Sequence, residues 1–132
     1  MSKAKATGTA AETAVVRYLQ ANGLPAAERR ALSGALDKGD IAGIAHVCIE
    51  VKAAVQPQLK KWFAETRTEA ANAGALFYML VVKVKYKPVG RWDAWLPVAM
   101  FNEGVSFSAQ EDWTWVRCDL QLAAELLRQA GC

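Results

Sequence analysis

GDIAGIAHVCIEVK, residues 39–52, is the stretch on which the fold turns. From Ala45 to Lys52 the two-residue period of an extended chain puts Val47, Ile49 and Val51 on one face and Cys48, Glu50 and Lys52 on the other. The run is apolar enough for a core strand, yet it ends with a carboxylate and an ammonium side by side. A second short extended stretch, Asp40-Ile41-Ala42, precedes it and opens on another carboxylate. Charged groups at the end of a buried strand cost folding energy unless a partner, a metal or a substrate engages them.

Working outward, residues 1–8 are small and polar and are expected to be flexible. The segment TAAETAVVRYLQANG predicts a helix from Thr9, with Thr9 and Glu12 as a capping box, Ala11, Val15, Tyr18 and Leu19 as the apolar stripe, and Gly23 as the stop. Ala27–Leu32 reads as a strand carrying Arg29 and Arg30, and SGALDKG as a turn. Beyond the central strand, Pro57 precedes a helix over Gln58–Ala73, with Leu59, Trp62, Phe63, Thr66 and Ala70 at helical spacing and Gly74 as its stop. LFYMLVVKV is a second apolar strand and DAWLPVAMF a third. Residues 102–112 read as a loop, TWVRC as a short strand, and Asp119 as the cap of a last helix reaching Gln129. The expectation is one α/β domain over residues 1–132, with a mixed central sheet flanked by helices.

With 132 residues, 53% hydrophobic and 22% charged, the chain has the composition of an ordinary globular domain. A formal charge of +3 hints only faintly at a polyanionic partner. The three cysteines form no C-x-x-C pair and have one histidine, His46, for company, which argues against a disulfide framework and a structural zinc site. No signal-peptide core and no run of eighteen apolar residues occurs, so a soluble, cytoplasmic protein without membrane contact is expected.

Asp40 and Glu50 at the ends of adjacent strands, together with a strand carbonyl such as that of Val51, make a set of hard oxygen ligands suited to Mg2+, with Mn2+ as a substitute. A cation there lowers the pKa of a nearby water, and the Lys52 ammonium can orient that water and stabilise charge on a phosphate. The plainer reading is an ion pair between Glu50 and Lys52, with Asp40 as a turn residue. The functional one fits better, because an exposed ion pair contributes only about 0–1 kcal/mol and a helix carrying Glu12 lies just upstream.

Glu12, Arg30, Ser33-Gly34, Gly39-Asp40-Ile41 and Ile49-Glu50-Val51-Lys52, in that order, resemble the PD-(D/E)XK nuclease superfamily, and within it the archaeal-type Holliday junction resolvases. The resemblance covers roughly residues 8–85 and includes the element order α-β-β-β-α-β, implying a restriction-endonuclease-like core with extra C-terminal strands and a helix. It implies Glu12, Asp40, Glu50 and Lys52 as the catalytic set, with Asp40, Glu50, Val51 and Glu12 around divalent metal. It also implies that Arg30 and Ser33 contact the phosphate backbone or support the site. The activity implied is metal-dependent hydrolysis of branched DNA, four-way junctions first, by a homodimer. Cleavage of flaps, forks, single strands or duplex sites, or DNA binding without turnover, are the alternatives. Two departures stand out: Gly39 replaces the proline of the motif, and Thr66 and Arg67 stand where many relatives carry a glutamine.

Lys83, Lys85, Lys87 and Arg91 cluster around a turn with Tyr86 between them, a pattern that can track phosphates or simply make a solvated hairpin. The tryptophans of WDAWLP and WTW read as core or subunit contacts, and Cys48 as packing.

Overall fold

In the computed structural model, which describes residues 2–31, 36–101 and 115–132, helix α1 spans Lys3–Ala21. It begins earlier than its Thr9 signal because the Ser2 hydroxyl accepts the N–H of Lys5 at 3.1 Å and caps the helix first. Glu12 is therefore a mid-helix residue and not a capping one. Neither a flexible segment over residues 3–8 nor a capping box at Thr9 is present.

The strands are β1 (Glu28–Arg29), β2 (Ile41–Ala42), β3 (Val47–Lys52), β4 (Phe77–Val82), β5 (Asp93–Pro97) and β6 (Trp115–Asp119), with helix α2 (Leu59–Ala73) before β4 and α3 (Leu120–Gln129) after β6. They form one six-stranded open sheet in chain order, antiparallel throughout except for the β3–β4 pair. That pair needs a crossover, which α2 supplies, and its register sets Glu50 against Leu80 and Lys52 against Val82. The mixed sheet and the order α-β-β-β-α-β are as expected. Most strands are shorter than predicted, two of them markedly. β1 keeps only two residues of Ala27–Leu32, and β5 stops at Pro97, beyond which the chain makes a 3-10 turn over Val98–Phe101. A proline has no N–H for the ladder, so the strand ends there.

Alternation along β3 and β4 divides the core between two faces. Val47, Ile49, Val51, Met79 and Val81 pack with Val15 and Leu19 of α1 and Leu120 and Leu127 of α3. On the other side Leu80 and Val82 meet Trp62 and Phe63 of α2 together with Trp115. Phe63 stacks on Trp115 at 4.4 Å and meets Trp95 edge-on at 5.3 Å. Trp92 and Trp115 are thus core residues, as expected, and Trp113 lies outside the described residues. No helix among the described residues is long and apolar enough to cross a membrane.

Two glycines route the chain into the sheet. Gly39 has φ +94°, and a Cβ there would meet Cys48 Sγ at 2.8 Å and the Ile49 carbonyl oxygen at 3.1 Å. Gly43 has φ +87°, and its Cβ would collide with the Ala26 carbonyl oxygen. Both conformations are open to glycine and strained for any other residue. Gly43→Ala is expected to destabilise the fold by about 3 kcal/mol or more, since backbone has to yield where the turn after β2 meets residues 26–27. Urea denaturation checks this, and a loss below about 0.5 kcal/mol would mean that the turn does not press on residues 26–27.

Candidate active site

Asp40 is tied to β3 by its main chain and its side chain. Its N–H donates to the Ile49 carbonyl at 2.9 Å, its own carbonyl accepts the Arg30 N–H at 2.8 Å, and its Oδ2 accepts the Val51 N–H at 2.8 Å. In an extended strand the N–H and C=O of one residue point the same way, so the Val51 carbonyl faces the Asp40 edge too. Glu50 precedes Val51 and turns toward α2, where it is 5% exposed. The Lys52 ammonium lies 3.4 Å from Glu50 Oε1 and 2.9 Å from Glu65 Oε2. The face shared by Cys48, Glu50 and Lys52 is the one that strand alternation predicted. Glu12 reaches toward the same region from α1, holds Arg29 at 3.5 Å and adds its charge to the field at Asp40.

Three acidic residues passed over in the sequence complete the cluster: Asp37, Glu65 and Glu69. Asp37, Glu50 and Glu69 each bring a carboxylate oxygen within 4.8 Å of the other two. Glu69 is also only 5% exposed, and Glu50 Oε2 and Glu69 Oε2 are both buried with no hydrogen-bond partner. A signal for Glu69 was present. Trp62, Thr66, Glu69 and Ala70 form the buried stripe of α2, and helical spacing alone puts Glu69 among them. Asp37 had no comparable mark.

Burial dominates the electrostatics. It raises the Asp40 carboxyl to about 8, helped by the charge of Glu50 and opposed by the Val51 N–H. Glu50 is pushed up to about 9 by burial and by the adjoining Glu69 carboxyl, against the pull of Lys52. Glu69 rises to about 7 through burial and the nearby Asp37 and Asp40. Burial would lower Lys52, but Glu65 and Glu50 more than offset it, and its ammonium is held charged. The Cys48 thiol is driven up to about 12 by burial and by Glu69 and Glu50, so it is neutral packing, as expected.

The donor set suits a hard divalent cation. Carboxylate oxygens predominate, and the buried Oε2 atoms of Glu50 and Glu69 have no N–H or hydroxyl donor and only neighbouring carboxyls for company, a condition that a cation relieves. Asp40, Glu50 and the Val51 carbonyl are the residues that would hold it, with Glu12 adding charge from behind.

The residues assigned to DNA divide. Lys83, Lys85 and Lys87 are exposed on the β4–β5 connection, which starts where the Lys83 N–H bonds the Lys52 carbonyl at 2.9 Å. A cleft of about 450 Å³ opens at this end of the sheet between Ala53, Pro57, Lys83 and Lys85. Arg91 is held by Asp119 at 3.8 Å, which partly neutralises it. Arg30 is half-buried, and its Nε has no hydrogen-bond partner. Ser33 lies outside the described residues.

The three raised carboxyls set a pH dependence. In the unfolded chain they ionise near pH 4, so the stability gained from their neutral forms is full below that and is lost as pH climbs through the folded values toward 9. Metal-free protein should therefore melt at a lower temperature at pH 8 than at pH 5. Glu50→Gln should stabilise it at pH 8 by on the order of 2 kcal/mol. Calorimetry in chelator checks both, and a less stable Glu50→Gln would mean that the carboxylate already has a compensating partner. The chain matches no protein-family model, no curated protein and no solved structure at a significant level, so the functional reading rests on the residues and geometry of this site.

Proposed function

We propose that the chain is a divalent-metal-dependent DNA endonuclease of the PD-(D/E)XK kind, acting on four-way junctions as a two-fold dimer. The observation that carries the reading is the convergence of Asp40, Glu50 and Lys52 at one end of β3, with Asp40 hydrogen-bonded to the backbone of Val51. Mg2+ or Mn2+, when bound, supplies Lewis-acid polarisation of a phosphate and makes water acidic enough to attack near neutral pH. Asp40 and Glu50 would hold and orient that ion, and the low exposure of Glu50 would keep bulk water from competing.

Lys52 acts as a fixed cation. Held between Glu50 and Glu65, it keeps its proton, so its part is to orient the attacking water and offset charge building on the phosphate. Lys83, Lys85 and Lys87, exposed on the connection that starts beside Lys52, would supply cations for the phosphates of a duplex arm. A dimer with two such sites suits paired nicks, because a closed two-fold presents one surface twice.

Four-way junction, flap, fork, single-strand and duplex substrates, offered side by side with Mg2+ or Mn2+, test the reading. Paired nicks in the junction are expected, lowered roughly 10³-fold by Asp40→Asn or Glu50→Gln and about 10²-fold by Lys52→Ala. Junction binding without cutting in either metal overturns the nuclease, and preference for another shape overturns the resolvase. Replacing Lys83, Lys85 and Lys87 together by alanine should weaken binding to every shape and flatten the dependence of log K on log salt by about 2–3. An unchanged slope would show that these lysines do not touch phosphate.

A further inference from the structure

We infer that Asp37, Glu50 and Glu69 form a second position for a hard divalent cation, sharing Glu50 with the position built on Asp40 and Val51. It rests on the nuclease reading for what the two ions do together, and not for whether the second one binds.

The three carboxylates come from different parts of the chain, the turn before β2, β3 itself and α2, yet each brings an oxygen within 4.8 Å of the others. That span matches oxygens arranged around a single ion, for which metal–oxygen distances of about 2.0–2.6 Å put opposite ligands roughly 4–5 Å apart. Glu50 and Glu69 are each 5% exposed, and the Oε2 of each is buried with no hydrogen-bond partner. Lys52 engages Glu50 Oε1, which leaves the buried Oε2 as the Glu50 oxygen with no hydrogen-bond partner.

Two of the surrounding cations are engaged at other carboxylates as well. Lys52 is shared with Glu65, and Arg29 holds Glu12. Asp37 is held in position by two contacts: its Oδ1 accepts the Gly39 N–H at 2.9 Å, and its carbonyl accepts the Asn72 side-chain N–H at 2.8 Å. Asn72 lies one helical turn beyond Glu69, so the bond draws the turn against α2 beside that carboxylate. Asp37 is exposed, which leaves the ion an entry path and room for water ligands. In the nuclease reading, a cation held by Asp37, Glu50 and Glu69 would supply further Lewis-acid stabilisation of charge on a phosphate.

Manganese binding to the DNA-free protein tests this without any turnover, with free Mn2+ read by electron paramagnetic resonance. Wild type should take up two ions per chain. Glu69→Gln and Asp37→Asn should each weaken one of them at least about tenfold and spare the other, and Asp40→Asn should weaken the other. Asp37 is a surface residue, so Asp37→Asn keeps the test open if the buried Glu69→Gln fails to fold. A single ion in wild type, or two ions unaffected by Asp37→Asn, overturns the second position. The nuclease reading falls separately, through intact uptake in Asp40→Asn or absence of cleavage in the substrate panel.

Discussion

The hydrogen bond from the Val51 N–H to Asp40 Oδ2, 2.8 Å long, is the constraint on which the site depends. β2 has only two residues and a single register pair with β3, Ile41 against Ile49, too little to hold a strand in place alone. Asp40 supplies the missing hold, because its main-chain N–H bonds Ile49 while its carboxylate bonds Val51. One residue thereby sets the register of β2 and carries a charge to the end of β3. Gly39 makes this possible. At φ +94° it lets the chain descend onto Cys48 and Ile49, a path closed to proline, whose φ is confined near −65°.

Around that anchor the protein gathers carboxyl groups close enough to raise one another's pKa values. Asp37, Asp40, Glu50, Glu65 and Glu69 lie between the β1–β2 connection and α2, and Lys52 is the cation shared between two of them. The raised Asp40, Glu50 and Glu69 carboxyls follow from burial first and mutual repulsion second. Such a cluster is locally unfavourable and is tolerated because the apolar core on both faces of the sheet stabilises the frame that holds it.

Much of the frame was legible in the sequence. The alternation of β3 correctly separated Val47, Ile49 and Val51 from Cys48, Glu50 and Lys52, and Pro57 and Gly74 bracketed α2 to within a residue or two. Other features depended on competition between local signals. Thr9 looked like a cap, but Ser2 caps the helix earlier, and nothing at Thr9 interrupts a helix already under way. Glu69 was passed over because a glutamate on a helix is ordinarily solvent-facing, and only its spacing from Trp62 and Thr66 shows that it turns inward. Asp37 depends on Asn72, thirty-five residues away, and no local pattern reports a contact of that kind.

The sheet runs in chain order, each strand lying beside its sequence neighbours, and the acidic cluster apart from Glu12 is drawn from residues 37–69. Short connections close at small entropic cost, and topologies rich in local contacts reach their transition states quickly. The β2–β3–α2 segment can therefore assemble, and meet its own electrostatic repulsion, before β6 and α3 complete the opposite end of the sheet. A chain arranged this way brings its acidic residues together through short connections, so their mutual repulsion has to be met within one contiguous stretch of the sequence rather than across the whole sheet.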